Sequence, residues 1–321
     1  MSVTIHDIAR HTGFNASTVS RALRYDSRIS RDTMEKILEA AERLGYVRNF
    51  AASNLASGRT KCIALIMDAV SGTMQTLPAA ALNQVLINAG YTLMILLHNN
   101  EKLATENCIS KLEERICDAA VMIPPPIKFF DEHLTKRIKK LPIPLFFIDR
   151  WLEDTDGAVV TTDVEKSMRL LMQHVMSEKL DAAFIVRSEP NSVGLARFYW
   201  CSKILEENGI PWTADVKDLR GLIKKHRVKT LGVLADSPWL TCHIKECLKD
   251  NMPERFIGGM FDNWVNVPPD FYDRIYLCLQ DFSEIGRQCA NLVLDILRGY
   301  SSDKRITEIP PEGVTVINCS R

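Results

Sequence analysis

Apolar residues recur at spacings of three and four through the first 46 positions, then gather into short continuous runs from Cys62 onward. The first rhythm predicts amphipathic helices and the second predicts buried strands. Ile5, Ile8 and Ala9 share one face of a first helix, with Thr4 as N-cap and Asp7 in capping-box position. Gly13 supplies the left-handed residue that ends it. Asn15 caps a second helix whose Val19, Ala22 and Leu23 point inward, while Ala16, Ser17, Ser20 and Arg21 point outward. Ser30 caps a third, carrying the stripe Met34, Ile37, Leu38, Ala41 and Leu44 and closing at Gly45.

The next segment, Asn49 to Thr60, is rich in small residues. It has the composition for one short helix to about Ala56, below the roughly 12–15 residues an isolated helix needs in water. A flexible linker is therefore expected for the free chain.

Beyond it, strands are predicted at Cys62–Met67, Tyr91–Leu97, Ala119–Ile123, Ile143–Ile148, Ala182–Val186, Leu231–Ala235 and Phe256–Met260. Helices are predicted at Leu77–Ala89, Leu103–Arg115, Phe130–Lys139, Glu165–Met176 and Val193–Asn208. This alternation implies parallel sheets covered on both faces, here two doubly wound lobes divided by a composition break near Asp154–Gly157. Ligands of such sheets collect at the carboxyl ends of the strands. The expected organisation is an all-α head over 1–47, a hinge over 48–60 and a two-lobed α/β body over 61–321.

Charge adds one detail. Net charge is zero over 321 residues, but residues 1–60 hold nine Lys and Arg against six Asp and Glu. A basic head on a slightly acidic body suits a polyanion at one end only. No signal peptide or membrane span is visible, and nine cysteines without close pairs fit buried thiols in a reducing cytoplasm. Cys242, His243 and Cys247 come nearest to metal spacing, yet lie on a predicted helix with no second cluster, which favours core packing. No nucleophile elbow, phosphate loop, dinucleotide fingerprint or zinc-protease motif occurs, so a binding protein is expected rather than an enzyme, with neither cofactor nor metal. A receptor-like sugar-binding module is the alternative, and the head argues against it.

A short helix, a glycine turn and a second helix showing small polar side chains plus an arginine follow helix-turn-helix logic. Small residues let such a helix sit deep in a major groove, and Arg21 carries the planar fork that fits guanine or phosphate. Ile5-His6-Asp7-Ile8-Ala9, Gly13 and Ser17-Thr18-Val19-Ser20-Arg21-Ala22-Leu23, continued through Ser30–Tyr46 and Asn49–Thr60, resemble the headpiece of the lac repressor (LacI) family. The resemblance implies a homodimer on palindromic operator DNA, contacted through Thr4, Asn15, Ala16, Ser17, Thr18, Ser20 and Arg21. It further implies a hinge helix in which Asn49, Ala52 and Leu55 meet the minor groove, Leu55 as the wedge that kinks it. That family usually has proline where this chain has Arg48, which makes the start of the hinge less rigid and offers another phosphate contact.

The body resembles the same family's effector domain, which shares the fold of periplasmic sugar-binding proteins, and leans towards the fructose- and sucrose-operon repressors. The effector, a sugar or sugar phosphate, is then expected to meet Ser71, Asp149, Arg150, Asp163, Arg197, Trp239 and Asp262. Carboxylates and arginines hydrogen-bond hydroxyls in pairs, and an aromatic face covers a sugar ring, with Trp151, Trp200, Trp239 and Trp264 as candidates. For each tryptophan singly, core packing is the commoner role. Three departures bear on the ligand: Ser237-Pro238 stands where Asn-Asp is common, and Lys179 and Trp200 stand where glycine is.

Overall fold

The computed structural model describes residues 3–47, 58–68, 73–187, 190–236, 244, 248, 252–262, 272–301 and 305–319. The chain divides into two compact units, Met1–Thr60 and Lys61–Arg321. Arg48, Asn49, Ala52, Leu55, Ser71, Ser237, Pro238, Trp239, Cys242, His243, Cys247 and Trp264 lie outside the described residues.

The first unit is three helices: α1 (Ile5–Thr12), α2 (Ala16–Ala22) and α3 (Arg31–Arg43). Their core is Ile8, Val19, Ala22, Ile37, Ala40 and Ala41. The expected α3 stripe needs one correction. Leu38 is half-buried and outside this core, and Ala40 takes its place. Ile37, Ala40, Ala41 and Leu44 follow the i, i+3, i+4, i+7 repeat of a single helix face, and Leu38 falls on its flank.

The second unit holds two six-stranded sheets. The first contains β1 (Cys62–Met67), β2 (Thr92–Leu97), β3 (Ala119–Met122), β4 (Leu145–Ile148), β5 (Ala158–Thr162) and β11 (Ile306–Ile309), in the order β11-β5-β4-β3-β1-β2. The second contains β6 (Ala182–Val186), β7 (Trp212–Thr213), β8 (Thr230–Ala235), β9 (Arg255–Phe261), β10 (Arg274–Leu279) and β12 (Gly313–Asn318), in the order β12-β10-β9-β8-β6-β7. All pairings are parallel except β10 with β12. The central strands are buried along their length, as continuous apolar runs require of a sheet covered on both faces.

The helices of the first lobe are α4 (Thr73–Asn88), α5 (Lys102–Glu113) and α6 (Glu132–Lys139). Those of the second are α7 (Val164–Met176), α8 (Ser192–Glu207) and α9 (Val216–His226). The last helix, α10 (Phe282–Arg298), packs Phe282, Ile285, Cys289 and Val293 into the core of the first lobe beside Leu82 and Leu86 of α4. Gly286 makes this approach possible: a Cβ there would lie 2.3 Å from the Pro78 carbonyl oxygen of α4.

The lobe boundary expected near Asp154–Gly157 is therefore displaced. After that break β5 still pairs with β4, Phe147 opposite Val159, and the chain first crosses after Thr162. It returns ahead of α10 and crosses again between β11 and β12. Three crossovers, rather than one, join the lobes. The break marks a surface loop, because a buried strand as short as β5 leaves little apolar run for a composition scan to see.

Candidate nucleic-acid interface and interlobe ligand site

In the head, local hydrogen bonds set the helix starts. The Asp7 carboxylate accepts from the Thr4 N–H (2.9 Å) and hydroxyl (2.7 Å), which helps hold it down to about 2. Thr4 is thus engaged in capping. Asn15 Oδ1 accepts from the Thr18 N–H (2.8 Å) and from the Ser17 hydroxyl (2.7 Å), leaving both side chains at the start of α2. Ser17 and Arg21 are exposed, Ala16, Thr18 and Ser20 are half-exposed, and Val19 and Ala22 are buried.

The charges sort themselves around that face. Arg28 forks onto Asp26 at 2.9 and 2.6 Å, holding that carboxyl well below the usual range. On α3, Arg31–Glu35, Lys36–Asp32 and Arg43–Glu39 pair at i,i+4, neutralising three of its four acids along its own surface. The Arg21 side chain makes no hydrogen bond among the described residues, and Asp26, which feels it only through Coulombic attraction, is already held by Arg28. Its guanidinium stands ready on the outer face of α2.

In the body, the carboxyl ends of β4 and β9 carry the same arrangement. Asp149 follows β4 with φ 62° and its N–H donates to Val160 O (3.0 Å); Asp262 follows β9 with φ 63° and its N–H donates to Cys278 O (2.9 Å). Aspartate is among the few residues other than glycine that enter the left-handed region readily. Both carboxylates are buried, one in each lobe, and close enough for Asp149 to raise the Asp262 pKa. Burial is the main cause that pushes Asp262 up to about 6; Arg197 and the Gln280 amide, 2.9 and 2.8 Å from its oxygens, pull the other way.

Arg197 sits in the second turn of α8, buried, 3.6 Å from Asp236 and with its guanidinium carbon 3.8 Å from the centre of the Phe261 ring. Arg197 and Asp262 are therefore neighbours within the second lobe, and Asp149 is the residue that faces them from the first. Arg150 lies 3.6 Å from Asp149. Asp149 Oδ1, Arg197 Nε and Gln280 Oε1 are buried without a hydrogen-bond partner, as is Gln75 Oε1 in the first turn of α4. Buried polar atoms are normally satisfied, so the open atoms of Asp149, Arg197 and Gln280 around Asp262 make this group a candidate place for a polar ligand. A small pocket opens beside Arg197, lined also by Arg187, Phe198, Asp236 and Phe261.

Asp163 is not part of this group: it caps α7, accepting from the Lys166 N–H (2.9 Å), and lines a different pocket. Two of the four candidate tryptophans are described. Trp151 packs against the first lobe's core and Trp200 against the second's, and both also line that other pocket. Asp236 and Phe261, which lie beside Arg197, were not among the candidate contacts read from the sequence. Asp236 had a visible signal, since it follows directly on the apolar run of β8. Among the described residues no group of three or more His, Cys, Asp or Glu is placed to hold a metal ion.

These features define a class: a helix-turn-helix head joined to a two-lobed body of the periplasmic-binding-protein architecture. Residues 4–49 match the model of "Bacterial regulatory proteins, lacI family". The chain is 36% identical over 107 residues to the maltose regulon regulatory protein MalI of Vibrio furnissii, covering 33% of this chain and 78% of that protein. It is 25% identical to the catabolite control protein A of Priestia megaterium over 97% of both chains. Its fold matches the crystal structure of the lac repressor dimer bound to operator and the anti-inducer ONPF, at a TM-score of 0.74 and 17% identity over 99% of this chain and 98% of that one. The chain belongs to the lacI family.

Proposed function

We propose that this protein is a sequence-specific transcriptional regulator, a repressor of carbohydrate-utilisation genes, that responds to a small sugar or sugar phosphate. The observation that carries the reading is the outer face of α2, where Ala16, Ser17 and Ser20 flank an Arg21 whose guanidinium makes no hydrogen bond among the described residues. A guanidinium so placed reads guanine O6 and N7 in a major groove. Asn49, Ala52 and Leu55 would meet the minor groove from the hinge segment, and Thr4, Asn15 and Thr18 would frame the start of the recognition helix.

One head reads one half-site, so a two-fold dimer reads a near-palindrome. Apolar surface on the first lobe supports this: Leu77 and Ile87 on α4 and Ile95 and Leu97 on the edge strand β2 are 40–55% exposed. The lac repressor in the matching structure is a dimer on operator. The ligand half rests on Asp149, Arg197 and Gln280, whose open atoms suit the paired donors and acceptors of vicinal hydroxyls, with Arg150, Asp236 and Asp262 around them and Ser71 and Trp239 as further contacts. An effector that binds one lobe arrangement better shifts the chain towards it, and thereby its affinity for operator. We read the chain as a binding protein without a catalytic step, acting in the cytoplasm beside the DNA. Among the described residues no helix is long and apolar enough to cross a membrane.

Thermal-shift screening of the full chain against sugars and sugar phosphates tests the ligand half, since a ligand specific to the folded state raises Tm. Arg197→Ala should abolish the response while DNA binding persists. Normal effector affinity in both Arg197→Ala and Asp262→Ala would overturn the assignment.

A further inference from the structure

The pocket that contains Asp163 is separate from the Arg197 group; the resemblance names Asp163 as a contact of the single effector, but gives the pocket around it no ligand of its own. It is a cleft of about 610 Å³ beside the lobe crossovers, lined by Trp151, Thr162, Asp163, Arg169, Trp200 and Glu308 among others. These residues come from the end of β4, the first crossover, α7, α8 and β11.

Thr162 is fully buried, yet its hydroxyl has no hydrogen-bond partner. Its neighbour Thr161 is satisfied, donating to Asp149 O at 2.7 Å. The indoles are fixed in place. Trp151 donates its Nε1–H to Glu153 at 2.9 Å, and Trp200 is held by Arg169 and Lys203, 5.1 and 4.6 Å from its ring centre.

The charges are unbalanced. Asp163, Glu165 and Glu308 face Lys166 and Arg169, and Glu165 already occupies Arg169 at 2.9 Å. Glu308 makes no hydrogen bond or ion pair among the described residues. Burial, then Asp163 and Glu165, hold its carboxyl above the usual carboxylate range. An acidic surplus repels phosphate and attracts hydroxyl hydrogens or an ammonium group, and an indole wall suits the apolar face of a sugar ring.

We propose that this pocket is a second small-molecule site, taking a neutral or amino sugar and excluding sugar phosphates. Thr162 and Glu308 hydrogen-bond its polar groups while Trp151 and Trp200 wall its ring. Because Thr162, Asp163 and Glu308 lie on or beside crossover segments, occupancy bears directly on the angle between the lobes.

Calorimetry on the full chain carrying Arg197→Ala, which silences the other site, tests this with glucose, glucosamine and a glucose phosphate as probes. Glucose or glucosamine should bind, and their relative affinity tells whether hydroxyls or the ammonium dominate. Trp200→Gly should abolish binding, and Thr162→Val and Glu308→Gln should each weaken it about tenfold or more. Glu308 is exposed on an edge strand, so its substitution leaves the fold intact even if the buried Thr162→Val does not. Three results would overturn the proposal: binding of neither neutral nor amino sugar, binding indifferent to Glu308→Gln and Trp200→Gly, or equal or tighter binding of the phosphate. None of these bears on the Arg197 site, whose ligand is tested in the unsubstituted chain.

Discussion

Asp262 gives the sharpest quantitative consequence of the interlobe site. Burial pushes its carboxyl up to about 6 in the folded chain, from an ordinary 3.8. The folded state therefore binds more protons than the unfolded one between these values, and stability falls as pH rises through that window. A difference of about two pKa units costs the ligand-free protein about 3 kcal/mol at pH 7, at 1.36 kcal/mol per unit. Asp262→Asn keeps the shape and an acceptor for the Gln280 amide while abolishing the charge. The variant should match the parent near pH 4 and exceed it by about 3 kcal/mol at pH 7, with the difference opening between these limits.

Urea unfolding followed by tryptophan fluorescence reads this cleanly, because all five tryptophans lie beyond residue 60 and report the body alone. Other carboxylates titrate in the same range, so the parent-minus-variant difference is the quantity to compare. A pH-independent difference, or a variant less stable than the parent at pH 7, would refute the burial argument. The same variant should lose effector affinity, since the charge that destabilises the empty site is the one that receives hydroxyls.

Three further outcomes are expected. Arg21→Ala should cost roughly 1–3 kcal/mol of operator binding and relax base preference at one position per half-site, without lowering the head's Tm; gel-shift titration over single-base operator variants checks it. Leu55→Ala should reduce both operator affinity and bending, measured by circular-permutation gel shift, with effector affinity unchanged. Gly286→Ala forces a methyl against the Pro78 backbone, which cannot yield as a side chain would, and should cost roughly 1–3 kcal/mol of body stability in urea.

What the sequence disclosed follows from how local each signal is. The head was legible because its determinants act within a few residues: Thr4 with Asp7, Asn15 with Thr18 and Ser30 with Thr33 are caps, and Gly13 at φ 74° closes α1. Lys179, expected where glycine is common, does adopt φ 55°. The buried runs of β1, β6 and β8 announced themselves by continuous apolar content. The strands β5, β10, β11 and β12 did not, being short, mixed in polarity or placed by partners far along the chain. Ile306 pairs with Val159 across 147 residues, a relation no window reveals.

The ligand site was legible only in part for the same reason. Asp149 and Asp262 were visible singly as carboxylates after strands, but their matched left-handed geometry and mutual approach belong to the tertiary fold. Asp236, which follows directly on β8, was not among the residues expected to meet the ligand. Asp163 was expected as a ligand contact, and in the fold it caps α7 and lies apart from the Arg197 group. Any polar residue at a strand-to-helix junction is a candidate for either task, and only the packing separates them.

The central claim is that α2 reads operator DNA on behalf of a dimer. Selection of duplexes from a random pool by the full chain, followed by footprinting of the winners, tests it most directly. The account predicts a near-palindromic consensus, protection symmetric about its centre, two chains per duplex, and complete loss of selectivity when residues 1–46 are removed. Sequence-specific binding that survives that deletion would contradict it.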